Sequence, residues 1–130
     1  MKENFKNKAL ENIKIAEIAF DNDCFNASAN RAYYAAFHAA IAAIYSIGMQ
    51  PRIDHKTIQS MFSDYFFNRR KIIPSKYKGY LEDLQDKRNS ADYRNGVSKK
   101  VAKEQLVFAK KIVDFIIKEI LWILVWNNNN

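Results

Sequence analysis

Glycine, proline and cysteine are scarce in this chain of 130 residues, which has 3, 2 and 1 of them respectively. Sandwiches and barrels made of many short strands need more turn residues than that, so the shortage favours helices. The single cysteine, Cys24, forms no disulfide within the chain, and this indicates a reducing compartment. We therefore expect an all-α protein in the cytoplasm.

The sequence also lacks the motifs of several enzyme classes. We find no Cys and His spacing typical of zinc, no P-loop or GxGxxG loop, and no Ser–His–Asp or Cys–His arrangement. We therefore predict neither a metal nor a cofactor. Only His38 and His55 could supply an imidazole for acid–base chemistry.

Long hydrophobic runs are absent as well. The run ILWILVW near the C-terminus has seven residues, whereas a membrane span needs roughly 20. The first residues, MKENFKNKALEN, lack the apolar core of a signal peptide. We therefore predict no membrane association and one domain over residues 1–122. Residues 123–130 should form an apolar and Asn-rich tail, partly disordered, with its apolar patch covered by a partner chain.

A 3.6-residue periodicity of apolar positions is present along most of the chain. It predicts five helices, at about residues 4–20, 26–47, 56–67, 74–93 and from 98 onward. The second helix has nine alanines between residues 27 and 43, which is typical of a central helix. Because the connections are short, we expect an antiparallel up-and-down helical bundle.

Positive charge is concentrated in one quarter of the chain. The net charge is +7, and residues 69–100 hold ten Lys or Arg against four acidic residues, an excess of +6. Such an excess can attract nucleic acid or nucleotides. It can equally be a solvated basic face with no partner.

Polar side chains interrupt the alanine-rich second helix. Arg31, Tyr34 and His38 are spaced by three and four residues, so they face the same way, and Asn30 lies beside them. One interpretation is a satisfied core network in which Arg31 contacts a carboxylate. The other is a groove that binds a ligand.

A second polar cluster lies in the segment KRNSADYR, residues 87–94. Arg88 falls on the apolar stripe of the fourth helix. It can extend to the surface, pair with Asp92 one turn later, or present its planar fork to a phosphate. Asp92 could instead orient Arg31 across the helix pair.

Three segments together resemble the HEPN domain, in the form that ends R-x-x-x-D-Y: ANRAYYAAFHAAIAAI, DHKTIQSMF and RNSADY. The resemblance covers about residues 5–120. It implies a small up-and-down helical bundle, usually a homodimer, that often accompanies a minimal nucleotidyltransferase as a toxin–antitoxin pair. Many members are metal-independent ribonucleases whose site is an arginine followed four to six residues later by a histidine.

Carried onto this chain, the resemblance makes Arg88 the site arginine, with Asn89 beside it. No histidine follows Arg88, and Asp92 and Tyr93 occupy that region. Because an aspartate is a weaker base than an imidazole near neutral pH, His38 is a possible substitute if the second helix faces Arg88. In related systems the transferase modifies a tyrosine near this motif, and Tyr93 is the matching candidate.

Three functions follow. The first is a cytoplasmic HEPN homodimer that acts with a minimal nucleotidyltransferase, as a toxin or as a component that binds RNA or nucleotide. The second is a metal-independent endoribonuclease in its own right. The third is a non-catalytic helical dimer that serves as an interaction module. For the first two we predict a groove that combines the two clusters: Asn30, Arg31, Tyr34, His38 and Asn89 for binding, with Arg88, Asp92 and Tyr93 for catalysis.

Overall fold

The computed structural model describes residues 2–93 and 95–121; the side chains of 91–93 lie outside that description. Five α-helices span Lys2–Asp21 (α1), Phe25–Ser46 (α2), His55–Phe62 (α3), Tyr80–Tyr93 (α4) and Lys99–Phe115 (α5). Turns of π-helix continue α3 over Ser63–Arg69 and α5 over Ile116–Leu121, and a short 3-10 helix covers Ser75–Tyr77. No strand occurs among the described residues, so the all-α prediction is confirmed.

Helix α2 is the centre of the bundle and contacts α1, α3, α4 and α5. Its alanines let the neighbouring backbones approach closely, and those from Ala29 to Ala43 are fully buried. α1 runs antiparallel to α2, because Phe5 stacks on Tyr45 and the Ser28 hydroxyl donates to the Ala16 carbonyl. The first turn of α1 therefore lies against the last turn of α2.

The predicted ends of α2, α3 and α5 match the observed caps. Gly48 follows α2 with φ +82°, a left-handed conformation that glycine adopts without strain, and its N–H donates to the Tyr45 carbonyl. Asp54 accepts a hydrogen bond from the Thr57 N–H at the start of α3. Ser98 accepts one from the Val101 N–H at the start of α5. Gly48 therefore marks where α2 ends, and Asp54 and Ser98 mark where α3 and α5 begin.

The expected start of the fourth helix at Pro74 and Ser75 was wrong. That segment forms only a 3-10 turn, and α4 begins at Tyr80. Lys78 is extended, and Gly79 has φ +90°, so the backbone leaves helical geometry between the two elements. A sequence pattern cannot separate these two turns, because Tyr77 and Leu81 remain one helical turn apart in the apolar stripe.

The third helix also ends differently from the expectation of one helix over 56–67. Its α-helical part stops at Phe62, and the chain continues in wider π turns to Arg69. The Phe66 carbonyl accepts hydrogen bonds from the Ile72 and Ile73 N–H groups of the following segment. That carbonyl therefore accepts from the loop, while the Arg70 N–H, its regular α-helical donor, donates to the Tyr65 carbonyl instead.

The C-terminal apolar run begins inside the core rather than in an exposed patch. Ile120 and Leu121 are 1% and 5% exposed, so these two residues pack within this chain. The rest of the run and the tail 123–130 lie outside the described residues. Over the helices that are described, none is long and apolar enough to cross a membrane.

Candidate functional site

Tyr34 is the centre of a polar cluster formed by three helices. Its ring centroid lies 5.0 Å from the Cζ of Arg31 and 5.3 Å from the Cζ of Arg88. The rings of His38 and His55 lie 6.1 Å and 6.2 Å from it. We call these five residues the Tyr34 cluster. Two guanidinium groups and two imidazoles thus surround one phenol ring.

Arg88 comes from α4 and reaches across to α2. Its Nη2 donates to the Tyr34 hydroxyl at 3.1 Å, and its Nη1 donates to the Asn89 side-chain oxygen at 3.3 Å. Arg88 is half-buried, so it does not simply extend from an apolar stripe into solvent. The two polar clusters of the sequence therefore meet at the contact between Arg88 and Tyr34.

Among the described side chains, the hydrogen-bond partners of Arg31 are amides, while the side chain of Asp92, the carboxylate that the sequence offered to Arg31, lies outside that description. Its Nε and Nη2 donate to the Asn30 side-chain oxygen at 3.0 Å and 2.6 Å. Its Nη1 donates to the Asn12 side-chain oxygen at 3.2 Å. Because an amide oxygen carries no net charge, the positive charge of Arg31 is not neutralised by these contacts, and it can still attract an anion.

Asn12 links Arg31 to His38 and was missed by the sequence analysis. Its amide nitrogen contacts the Lys8 carbonyl at 2.9 Å and the Nδ1 of His38 at 3.3 Å. Because Arg31 can only donate, the Asn12 oxygen must face it, and the NH₂ group must face His38. The signal was present: Asn12 is the one polar residue in the buried stripe of α1, with Phe5, Ala9 and Ala16.

His38 is neutral in this setting. Burial lowers its pKa from 6.5 to about 4, and the positive charges of Lys8 and Arg31 act in the same direction. Since Asn12 donates to Nδ1, the proton of the neutral ring is on Nε2. His38 therefore presents a hydrogen-bond donor, not a lone pair, at its other ring nitrogen.

His55 is the second residue that the sequence analysis did not place in the site. It is the first residue of α3, and its Nδ1 forms a short hydrogen bond with the Tyr33 hydroxyl. Its ring centroid lies 4.9 Å from that of Phe37 and 5.3 Å from that of Tyr33. Burial and then the charge of Arg88 lower the pKa of His55, while Asp54 opposes them. The motif DHKTIQSMF contained this residue, but only the packing of α3 on α2 shows its neighbours.

The described structure places Asn30, Arg31, Tyr34, His38, Arg88 and Asn89 in or beside the cluster. The side chains of Asp92 and Tyr93 lie outside the described residues, so their predicted catalytic roles stay predictions. A cavity of about 190 Å³ lies elsewhere, among α3, its π turns, α4 and α5, with Phe62, Phe67, Tyr77 and Ile112 in its wall. Within the described part of the chain, no group of three or more His, Cys, Asp or Glu residues is placed to hold a metal ion.

Comparison with known proteins agrees with this architecture. The HEPN domain model matches residues 3–120. A protein of Methanocaldococcus jannaschii named "Putative toxin MJ0605" is 31% identical over 125 residues, an alignment that covers 87% of this chain and 86% of the relative. The match to the domain model includes the helices that contribute Arg31, His55 and Arg88. This chain belongs to the HEPN domain family.

Proposed function

We propose that this chain is a toxin-type HEPN protein that binds and cleaves RNA at the Tyr34 cluster. One observation carries the proposal: guanidinium groups from two helices, Arg31 of α2 and Arg88 of α4, lie 5.0 Å and 5.3 Å from the same tyrosine ring. Planar guanidinium forks match the oxygens of a phosphate diester. The name of the M. jannaschii relative, which describes that protein as a toxin, supports the same reading.

The positive charge of the chain supports a polyanionic substrate. The chain carries a net charge of +7, and the loop after α3 exposes Arg69, Arg70 and Lys71 together. Cations of this kind bind the nucleic-acid backbone by releasing its counterions, without reading its sequence. The exposed loop would therefore supply affinity, while the half-buried arginines of the cluster position one phosphate.

The chemistry that suits these residues is transesterification of RNA. The ribose 2′-oxygen attacks the adjacent phosphorus, the bond from phosphorus to the 5′-oxygen breaks, and the products are a 2′,3′-cyclic phosphate and a 5′-hydroxyl. Negative charge grows on the phosphoryl oxygens in the transition state. Arg88 would stabilise that charge, since it is fixed by Tyr34 and needs no reorganisation.

The proposal includes the setting that the family resemblance implies, a cytoplasmic homodimer paired with a minimal nucleotidyltransferase. A toxin that cuts RNA needs a neutralising partner, and this supports a pairing of that kind. Expression of the chain alone should slow growth, and co-expression of a transferase encoded beside it should restore growth. Equal growth in the two cultures would contradict the pairing.

The direct test is RNA cleavage in EDTA by the wild-type protein and by Arg88→Ala. We expect the variant to lose about 100-fold or more in cleavage rate, the effect typical of removing one fixed donor to a developing negative charge. Lys118→Ala is the control, because it also removes one cation, while Lys118 is exposed, pairs with Asp114 at 3.2 Å and belongs neither to the cluster nor to the loop of residues 69–71. The proposal is wrong if Arg88→Ala cuts RNA as fast as Lys118→Ala.

A non-catalytic dimer predicts a different pattern. In that case wild-type protein leaves RNA uncut, and Arg88→Ala reduces only the free energy of unfolding, because Tyr34 loses its hydrogen-bond donor. RNA cleavage by the wild-type protein separates the two outcomes, because Arg88→Ala lowers the free energy of unfolding in both.

A further inference from the structure

Two imidazoles lie next to Tyr34, and each shares its neighbours with a different arginine. His38 belongs to the side of Arg31, since Asn12 contacts both of them. His55 belongs to the side of Arg88, because both pack on the same pair of tyrosines. The Cζ of Arg88 lies 5.9 Å from the Tyr33 ring and 5.3 Å from the Tyr34 ring. The His55 ring lies 5.3 Å and 6.2 Å from the same two rings.

The position of His55 is fixed by several contacts. It is the residue after the N-cap Asp54, whose side chain accepts from the Thr57 N–H and the Thr57 hydroxyl at 2.8 Å and 2.9 Å. Its ring packs on Phe37, which is 5% exposed, and its Nδ1 is bonded to Tyr33, which is fully buried. An imidazole at a helix start would otherwise be free to rotate into solvent. Here Nδ1 is held by Tyr33, and none of the described residues is seen to form a hydrogen bond with Nε2.

We propose that His55 is the proton acceptor of this site and that its Nε2 takes the proton of the ribose 2′-hydroxyl beside the phosphate held by Arg88. This inference rests on the proposed ribonuclease function. The scheme requires the tautomer in which the Nδ1–H donates to the Tyr33 oxygen, because only then is the lone pair on Nε2. The 2′-oxygen then forms its bond to phosphorus, the bond to the 5′-oxygen breaks, and water protonates the leaving 5′-oxygen. Tyr33 is a positioning residue in this scheme.

The charges around His55 suit a base. Arg88 and burial both favour the neutral ring, and Asp54 is the acidic group that opposes them. Tyr33 stays protonated, because burial raises its pKa to about 12, so its hydroxyl remains a hydrogen-bond partner and not a competing anion. A neutral imidazole near pH 7 is the form that accepts a proton.

His38 is the alternative base, and its contacts argue against it. Its Nδ1 lone pair is occupied by the Asn12 amide, and its proton is therefore on Nε2. To accept a proton it would have to break the link between Asn12 and the ring. His38 is consequently the residue to compare with His55, because it is the same type of residue at a similar distance from Tyr34.

The experiment compares His55→Gln and His38→Gln in single-turnover RNA cleavage with EDTA present, together with RNA binding and circular dichroism. We expect His55→Gln to lose about 100-fold or more in rate, as general-base removal does, while its RNA affinity stays within about threefold of wild type. His38→Gln should cut RNA at least tenfold faster than His55→Gln does. His55→Ala should regain activity when free imidazole is added, which a merely structural role would not allow.

Two failures are distinguishable. If wild type and His38→Gln cut RNA and a folded His55→Gln cuts equally fast, the assignment of His55 is wrong and the proposed function stands. If the wild-type protein leaves RNA uncut, the proposed function is wrong and the assignment is wrong with it. If His55→Gln fails to fold, cleavage by folded His55→Ala in the presence and absence of imidazole decides the question: equal rates overturn the assignment.

Discussion

Protonation of His38 should destabilise the fold in mildly acidic solution. Its pKa is about 4 in the folded protein and 6.5 when exposed, so the unfolded chain binds this proton first as the pH falls. The contribution of neutral His38 to the free energy of unfolding is therefore fully present above pH 6.5, and it is lost as the pH falls from 6.5 towards 4. A pKa that differs by one between the folded and unfolded chains corresponds to about 1.4 kcal/mol. Because the ring is only half-buried, solvent screens its charge. We therefore take about half of the free-energy difference that the two pKa values give, and expect a loss of about 1–2 kcal/mol.

Urea denaturation of wild type and His38→Gln across this pH range measures the effect. Glutamine keeps an amide that can contact Asn12 but does not titrate. The carboxylates are common to both proteins, as are Lys8, Arg31 and Tyr34, the charged or titratable groups that face His38. Wild type should thus lose about 1–2 kcal/mol more than the variant between pH 6.5 and 4. Parallel stability curves for the two proteins would refute the reasoning.

Two further predictions concern the fold. Ala36→Leu should lower the free energy of unfolding by about 1–3 kcal/mol in urea melts, because Ala36 is 1% exposed and α2 has no room for a larger side chain. Ala27→Leu, on the exposed face of the same helix, should change that free energy by less than about 0.5 kcal/mol. Equal losses in the two variants would contradict close packing around Ala36. Gly96→Ala should lower the melting temperature more than Gly48→Ala, although both glycines have positive φ. A Cβ at Gly96 would lie 3.0 Å from the side-chain oxygen of Asn26, which accepts a hydrogen bond from the Val97 N–H. A Cβ at Gly48 would have none of the described atoms within 4 Å. Equal shifts would show that the Asn26 contact is not disturbed.

The helical class and the central place of α2 could be predicted because they depend on local signals. Nine alanines in a short, nearly all-apolar segment favour a central helix, and Asp54, Ser98 and Gly48 act within a few residues of the ends that they fix. The break between Ser75 and Tyr80 was not predictable in the same way. Its apolar spacing continues through the break, and only the left-handed Gly79 marks it.

The site was predictable in part. Spacing alone placed Arg31, Tyr34 and His38 on one face, and Arg88 stood out on an apolar stripe. Asn12 and His55 enter the cluster through packing between helices, from 19 and 33 positions away from Arg31 and Arg88 respectively. The periodicity within one helix cannot indicate which residues of other helices will contact it, because those contacts depend on how the helices cross.

The small side chains of α2 have a consequence for how this family member can diverge. Arg31, Tyr33, Tyr34 and His38 project from a helix whose backbone is clasped on several sides, so substitutions that shift or rotate it would collide with its neighbours. His55 and Arg88 are placed differently: His55 is the first residue of α3 and follows a loop, and Arg88 belongs to α4. Natural sequence variation at the proposed RNA site should therefore accumulate around His55 and Arg88, while the positions of the α2 side chains stay the same.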